Sequence, residues 1–223
     1  MVIAIDGPAG AGKSTVAKEL AKRLGYTYMD TGAMYRAFAW RVMEEAADLN
    51  DEEKLRGILK ETRIELAEQD GHLRVFLDGL DVTDKIRTLE LSQMASKVSS
   101  LKMVRERMVE LQRALGDEGG VVAEGRDIGT VVFPQAEVKI YLDASSQERA
   151  RRRFEELKRQ GKKVTLEETL QEMDERDQRD KERAVAPLRK AEDATVIDST
   201  YFGVDWVVER IMQEIKNKVS AIQ

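Results

Sequence analysis

Residues 7–15 read Gly7-Pro8-Ala9-Gly10-Ala11-Gly12-Lys13-Ser14-Thr15, a G-x-x-x-x-G-K-[ST] sequence. Before it stands the β-branched, apolar run Val2-Ile3-Ala4-Ile5-Asp6, which fits a buried strand. After it, Val16, Leu20, Ala21 and Leu24 recur at helical spacing. A glycine-rich turn alone says little, but this motif between a strand and a helix is a phosphate-binding loop. The glycines let successive backbone N–H groups turn toward one centre, and the helix start adds partial positive charge there. Lys13 supplies a cation for the β- and γ-phosphates, and the Ser14 hydroxyl is the expected Mg²⁺ ligand. The chain is therefore expected to bind a nucleoside triphosphate, and the rest of it is read around that site.

Composition limits what else the chain does. Its 223 residues suffice for a substantial core, and 42% apolar with 35% charged residues is a globular balance. A net charge of −5 argues against a nucleic-acid polymer or an anionic membrane as partner. There is no cysteine, which excludes disulfides and thiolate metal sites and suits a reducing cytoplasm. The single histidine, His72, cannot build a histidine metal site. With a core strand at Val2, no signal peptide is expected, and no run approaches a membrane span.

Beyond the first helix, Gly25 is a plausible C-cap and Tyr26–Asp30 reads as a second strand. Asp30-Thr31-Gly32-Ala33-Met34-Tyr35-Arg36 opens a helix through Phe38, Trp40, Val42 and Met43, with Thr31 as N-cap. A helix start with a hydroxyl and a nearby arginine is also an anion site, and the triphosphate loop tips Thr31 and Arg36 toward that use. Asn50-Asp51-Glu52-Glu53 suggests a capping box before Leu55, Ile58 and Leu59. Three extended segments follow, Arg63–Glu68, His72–Leu77 and Leu80–Thr83. They are joined at Asp70-Gly71 and Asp78-Gly79, which predicts an antiparallel meander inserted in a strand–helix chain. Residues 86–115 return to helical periodicity, with a break at Ser99-Ser100.

Gly120–Glu124 is a third core strand ending in an acid, and Glu124 is a candidate outer-shell ligand for Mg²⁺. The fourth strand, Val138–Asp143, leads to a basic helix from Ser145 or Ser146 with Arg149, Arg151, Arg152, Arg153, Lys158 and Arg159. Such a helix fits a solvated face or a nucleic-acid patch. Beside a triphosphate site in an acidic chain it also fits a lid that closes over phosphates. Gly161-Lys162-Lys163 breaks it, and Thr165-Leu166-Glu167-Glu168 caps the next helix. There Arg176, Asp180 and Arg183 share a face, as a ladder of surface ion pairs would also do. Pro187 is expected to close that helix, Ala194–Asp198 is a fifth strand, and Asp205–Val219 a final amphipathic helix with Val208, Ile211, Met212 and Ile215 inward.

Four pieces together resemble the bacterial cytidylate kinases: GPAGAGKST at 7–15, DTGAMYR at 30–36, EGRDIGTVVFP at 124–134 and ERDQRDKERAVAPL at 175–188. The resemblance runs over nearly the whole chain and implies an α/β, three-layer P-loop NTPase core. Its sheet would have five parallel strands in the order 2-3-1-4-5. It implies one nucleoside monophosphate kinase unit over 1–223, with core segments 1–35, 116–148 and 187–223. The monophosphate-binding region with its meander would lie at about 36–115, and the lid and basic helices at about 149–186.

By the same resemblance Gly7 to Thr15, with Arg149 and Arg153, would bind Mg-ATP, and Ser14 and Glu124 would serve the metal. Thr31, Arg36, Arg126 and Arg183 would hold the CMP phosphate and the transferring group, with Lys13 completing the catalytic cations. Ser96, Arg105 and Asp127 would read cytosine, and Arg176 and Asp180 would contact the ribose. The family often has Ser where Thr31 stands, which keeps the hydroxyl, and many members have Asp in place of Glu124. The implied partners are CMP and dCMP, with no nucleic-acid polymer or membrane, and the implied state is a cytoplasmic monomer. Rival readings are a P-loop kinase of UMP, dTMP, AMP or shikimate, a nucleic-acid module using the basic helix, and a non-catalytic nucleotide-binding switch. A guanine-reading switch needs N-K-x-D, yet Asn217-Lys218 is followed by Val219-Ser220.

Overall fold

The apolar run before the phosphate loop forms β1 (Val2–Asp6), and it lies at the middle of a five-stranded sheet. β1 pairs in parallel with β6 (Val121–Gly125) on one side and β7 (Val138–Asp143) on the other. β2 (Thr27–Asp30) and β8 (Thr195–Asp198) are the outer strands. The order β2-β6-β1-β7-β8 is the expected 2-3-1-4-5 once the five core strands are counted in sequence. Strands buried on both faces need continuous apolar runs, and Ile3, Ala4, Ile5, Val122 and Ala123 are fully buried. The register sets Glu124 beside Ile5 and Gly125 beside Asp6, so the acid expected at the third strand's end reaches the edge where the phosphate loop begins. In this α/β arrangement the strands' carboxyl ends are where a ligand site is built.

The computed structural model describes residues 1–69 and 71–222. They form two compact units divided after Tyr28 and after Glu118. The first contains the sheet with α1 (Lys13–Leu24), α6 (Ser146–Arg159), α7 (Leu166–Glu182) and α8 (Val204–Ile222). α1 ends at Gly25 in the left-handed conformation, whose N–H donates to Ala21 and Lys22, as its C-cap role predicts. Ser145 caps α6, and Thr165 with Glu168 forms the expected capping box on α7. α7 stops at Glu182, well before Pro187, contrary to expectation. Arg183 turns to ψ 137, and Leu188 N–H folds back onto the Asp180 carbonyl at 2.7 Å, satisfying a group that the helix end leaves open. α8 buries Val207, Val208, Ile211 and Ile215, while Met212 is half-buried.

The second unit holds α2 (Thr31–Glu44), α3 (Glu52–Glu61), α4 (Leu89–Val98), α5 (Lys102–Gly116) and an antiparallel sheet. That sheet is the expected meander, with β3 (Ile64–Gln69), β4 (His72–Leu77) and β5 (Leu80–Asp81) in chain order. Asp78 and Gly79 both have positive φ, the geometry that a two-residue hairpin turn requires. Asp70, half of the other predicted turn, lies outside the described residues. β5 ends earlier than expected because the Thr83 hydroxyl accepts Val75 N–H at 2.9 Å, replacing a ladder bond. Met34, Phe38, Leu55, Ile86 and Met108 fill this unit's own core.

Two caps differ from the sequence reading. Asp30, not Thr31, caps α2, because its carboxylate ends β2 within reach of Ala33 N–H at 2.8 Å; Thr31 is the first helical residue. Asp51 caps α3 by accepting Lys54 N–H, and with lysine at that position no reciprocal carboxylate exists to make a capping box.

Candidate active site

The phosphate loop leaves β1 by a turn that only glycine permits at Gly7. A Cβ there would lie 2.0 Å from the Leu142 carbonyl oxygen on β7. At the far end Gly12 has φ 91 and starts α1, so the helix's first N–H groups face into the loop. Lys13 is buried, and its Nζ donates to the Pro8 carbonyl at 2.7 Å. Burial, reinforced by the Arg126 charge, pushes its ammonium down to about 7, while Glu124 pulls the other way. The cation is thus anchored on a backbone carbonyl of the loop and acted on by its charged neighbours.

Ser14 Oγ donates to Glu124 Oε1 at 2.5 Å, and the Tyr28 hydroxyl donates to the same oxygen at 3.1 Å. A hydroxyl and a carboxylate oxygen side by side next to a triphosphate loop are hard donors of the kind Mg²⁺ takes. Among the described residues no cluster of three or more Asp, Glu, His or Cys could cage a metal by itself. The donor set therefore fits an ion shared with substrate phosphates rather than a resident all-protein site. Tyr28 was not singled out in the sequence, because nothing local to it signals a contact 96 residues away.

Beyond Glu124, β6 delivers Arg126 and Asp127. Arg126 Nε pairs with Asp180 Oδ2 at 2.9 Å, both groups nearly buried. Burial alone would raise the Asp180 carboxyl, but Arg126, Arg176 and Arg183 outweigh it and hold it below its ordinary value. Arg183 donates from Nε to Ala186 O at 2.6 Å, and its Nη2 lies 3.5 Å from Asp127 Oδ1. The face shared by Arg176, Asp180 and Arg183 is thus turned inward, with Asp180 buried and both arginines partly buried, and is not an exposed ladder. Arg126, Asp127, Asp180 and Arg183 are brought together, and the Arg126 charge reaches Lys13.

The basic helix divides by partner. Arg149 is buried and pairs with Asp177, and it donates to Ala144 O at 3.0 Å and to Ala9 O at 2.9 Å. Asp177 in turn accepts Ala9 N–H at 3.1 Å, so α6 and α7 grip both sides of one loop residue. Arg152 reaches Ser199 O at 2.6 Å, and Ser199 Oγ donates to Ala11 O at 3.1 Å. Arg153 pairs with Glu156 on the partly exposed side. Arg152 belongs to the basic helix read from the sequence, without a role of its own there, while Asp177 and Ser199 carry no local signal beyond Asp177 adjoining Arg176.

In the second unit, Thr31 and Asp30 are buried at the α2 start, and Arg36 Nη2 pairs with Asp30 Oδ2 at 3.0 Å. A Cβ on Gly32 would lie 3.1 Å from Arg36 Nη1 and 3.2 Å from Asp30 Oδ1, so this glycine gives the arginine its seat. Arg105 is 2% exposed, donates to Ser99 O at 3.1 Å and stands 5.6 Å from the centre of the Tyr35 ring. Ser99 Oγ donates to Ser96 O at 2.9 Å, which places Ser96 beside the same arginine-bearing corner.

Known proteins match this chain over nearly its full length. The family model for cytidylate kinase matches residues 3–217. A cytidylate kinase from Desulfitobacterium hafniense is 51% identical over 217 residues, covering 97% of this chain and 93% of its own. One from Bacillus subtilis is 51% identical over 216 residues, covering 97% and 96%. Among solved structures, an uncharacterized protein from Eubacterium ventriosum has the same fold, with a TM-score of 0.54 at 16% identity over 97% of this chain and 98% of its own. The chain belongs to the cytidylate kinase family.

Proposed function

We propose that the protein transfers the γ-phosphoryl group of Mg-ATP to CMP and dCMP, giving CDP and dCDP, as a cytoplasmic monomer acting in pyrimidine nucleotide metabolism. The observation that carries this reading is a set of enclosed cations beside a phosphate loop, buried Lys13 with the partly buried Arg126 and Arg183 in their carboxylate pairs, in a chain of this family. Three cations fixed by carboxylates and backbone carbonyls are suited to spreading charge, which is most of what phosphoryl transfer asks of a protein. The nucleophile is a phosphate oxygen of the acceptor, already anionic at neutral pH, so no general base is needed. The loop amides and Lys13 bind the donor, and Ser14 and Glu124 hold Mg²⁺, which neutralises phosphate charge when bound. Thr31 and Arg36 take the acceptor phosphate, Arg126 and Arg183 the transferring group, and Arg176 and Asp180 the ribose. Arg149 and Arg153 belong to a lid, about 149–186, that excludes water which would otherwise hydrolyse ATP.

Ser96, Arg105 and Asp127 select the base. Cytosine presents an N4 amino donor where uracil presents an oxygen, so a carboxylate favours the former. A coupled assay of ADP release with CMP, dCMP, UMP, AMP and dTMP tests the reading. CMP and dCMP are expected to lead, and Asp127→Ala to lower the CMP/UMP ratio of kcat/KM by about fivefold or more, from the 1–3 kcal/mol of a base-edge contact. Equal use of all five acceptors, or turnover of none, overturns it.

A further inference from the structure

Asp6 closes β1 immediately before Gly7, and nothing in the transfer scheme uses it. It is buried, 4% exposed, with both carboxylate oxygens engaged. Oδ1 accepts Ile128 N–H at 2.7 Å and Oδ2 accepts Gly129 N–H at 2.8 Å. Those amides open a single π-helical turn, Ile128–Val132, whose preceding residue Asp127 makes no side-chain cap. A helical start leaves its first N–H groups without partners in the turn. Here β1 supplies the cap from more than a hundred residues away. The fit is close, since a Cβ on Gly129 would lie 3.4 Å from Asp6 Oδ2.

Asp127 is consequently held from two sides. Its own carbonyl accepts Val131 N–H at 2.9 Å and Val132 N–H at 3.2 Å, and Asp6 fixes the two amides that follow it. Its backbone stands at φ −148, ψ 26, and that conformation directs the side chain. We infer that Asp6 is a positioning residue for base selection, clamping the Ile128 and Gly129 amides so that the Asp127 carboxylate is aimed at the exocyclic amino group of the acceptor base. The inference rests on the reading of Asp127 as a base contact.

A structural role alone would lower turnover of every acceptor equally, whereas aiming Asp127 affects the choice between acceptors. Asp6→Asn preserves shape but sets an NH₂ against one of the two amides. The CMP/UMP ratio of kcat/KM is expected to fall by about fivefold or more, the lower end of a base-edge contact. In an Asp127→Ala background the same substitution is expected to cause no further fall, because both changes act on one contact.

The wild-type protein gives an independent reading should the variant fail to fold. Burial raises the Asp6 carboxyl to about 6; Asp127 adds to the rise, and the bonded amides and Lys13 oppose it. Tyr141, its register partner on β7, also feels the Asp6 charge, whereas the Lys139 stem lies against Gly129 and its ammonium is bonded to the Pro134 carbonyl and Asp193. The Ile128 and Gly129 amide resonances are expected to shift together with a midpoint near 6. The wild-type CMP/UMP ratio is expected to drop through the same range, since the two acceptor phosphates titrate alike and cancel. An unchanged ratio in Asp6→Asn, an additive fall in the double variant, or amides that do not titrate with the ratio overturns the inference and leaves the Asp127 reading standing. A wild-type enzyme that takes CMP and UMP equally overturns both.

Discussion

Two glycines separate two different reasons for lacking a side chain. Gly25 has φ 66 and open space around it, so alanine there meets only left-handed strain, about 1–2 kcal/mol. Gly7 would drive a Cβ to 2.0 Å from a backbone oxygen of β7, which cannot move without parting β7 from β1. Gly25→Ala is therefore expected to lower Tm by no more than about 8 °C and to keep nucleotide turnover. Gly7→Ala is expected to lower Tm by at least twice as much or to prevent folding; thermal melts of both variants decide, and equal shifts would refute the argument. The motif marks both ends of the loop in sequence, but not which glycine is forced by contact and which by φ. Asp6, Tyr28 and Asp177 were invisible for a related reason. Each acts through a bond to a residue about a hundred or more positions away, and residue spacing carries no record of such contacts.

Elements read from the sequence wherever burial imposes a period. The core strands follow from short continuous apolar runs, the meander from extended segments joined at Asp-Gly turns and the amphipathic helices from 3.6-spaced apolar residues, while the strand order in the core sheet follows from family resemblance. Element ends were less legible, because several residues near a terminus can supply the same bond. Asp30 and Thr31 both qualify as caps, and only the direction in which β2 delivers them decides. The basic helix α6 is the sharpest case. Its arginines suggested a positive face, yet Glu148 accepts from Arg151 and Arg152 at 2.8 Å, so much of that charge is neutralised within the helix.

Those bonds hold Glu148 down at about 2, with Arg151 the chief cause and burial opposing it. An acid whose folded pKa is depressed stabilises the protein above its unfolded value, near 4.5, and loses that contribution as pH falls toward 2. Glu148→Gln is accordingly expected to melt lower than wild type at pH 6, by no more than about 2–4 °C for a surface network. The two melting curves are expected to converge as pH drops from 4.5 to 2. A gap that stays constant across that range would show that Glu148 acts by packing and not by charge.

At the scale of the whole molecule, the division after Tyr28 and Glu118 gives each unit its own apolar interior. Ile3, Ile5, Leu20, Ile140 and Leu142 pack in the sheet unit, and Met34, Phe38, Leu55, Ile86 and Met108 pack in the other. Cooperative opening follows shared buried surface, so two cores imply two opening free energies. Native-state hydrogen exchange against urea is expected to sort slow amides into two isotherms, one for each set. The phosphate loop belongs wholly to the sheet unit. A non-hydrolysable ATP analogue with Mg²⁺ at a hundred times its Kd is therefore expected to raise the sheet set by about 2.7 kcal/mol. The second set should stay where it is, because a ligand stabilises only those states whose opening destroys its site. A single isotherm for all slow amides, or an equal rise in both sets, would mean that the cores open together and that the chain division has no energetic counterpart.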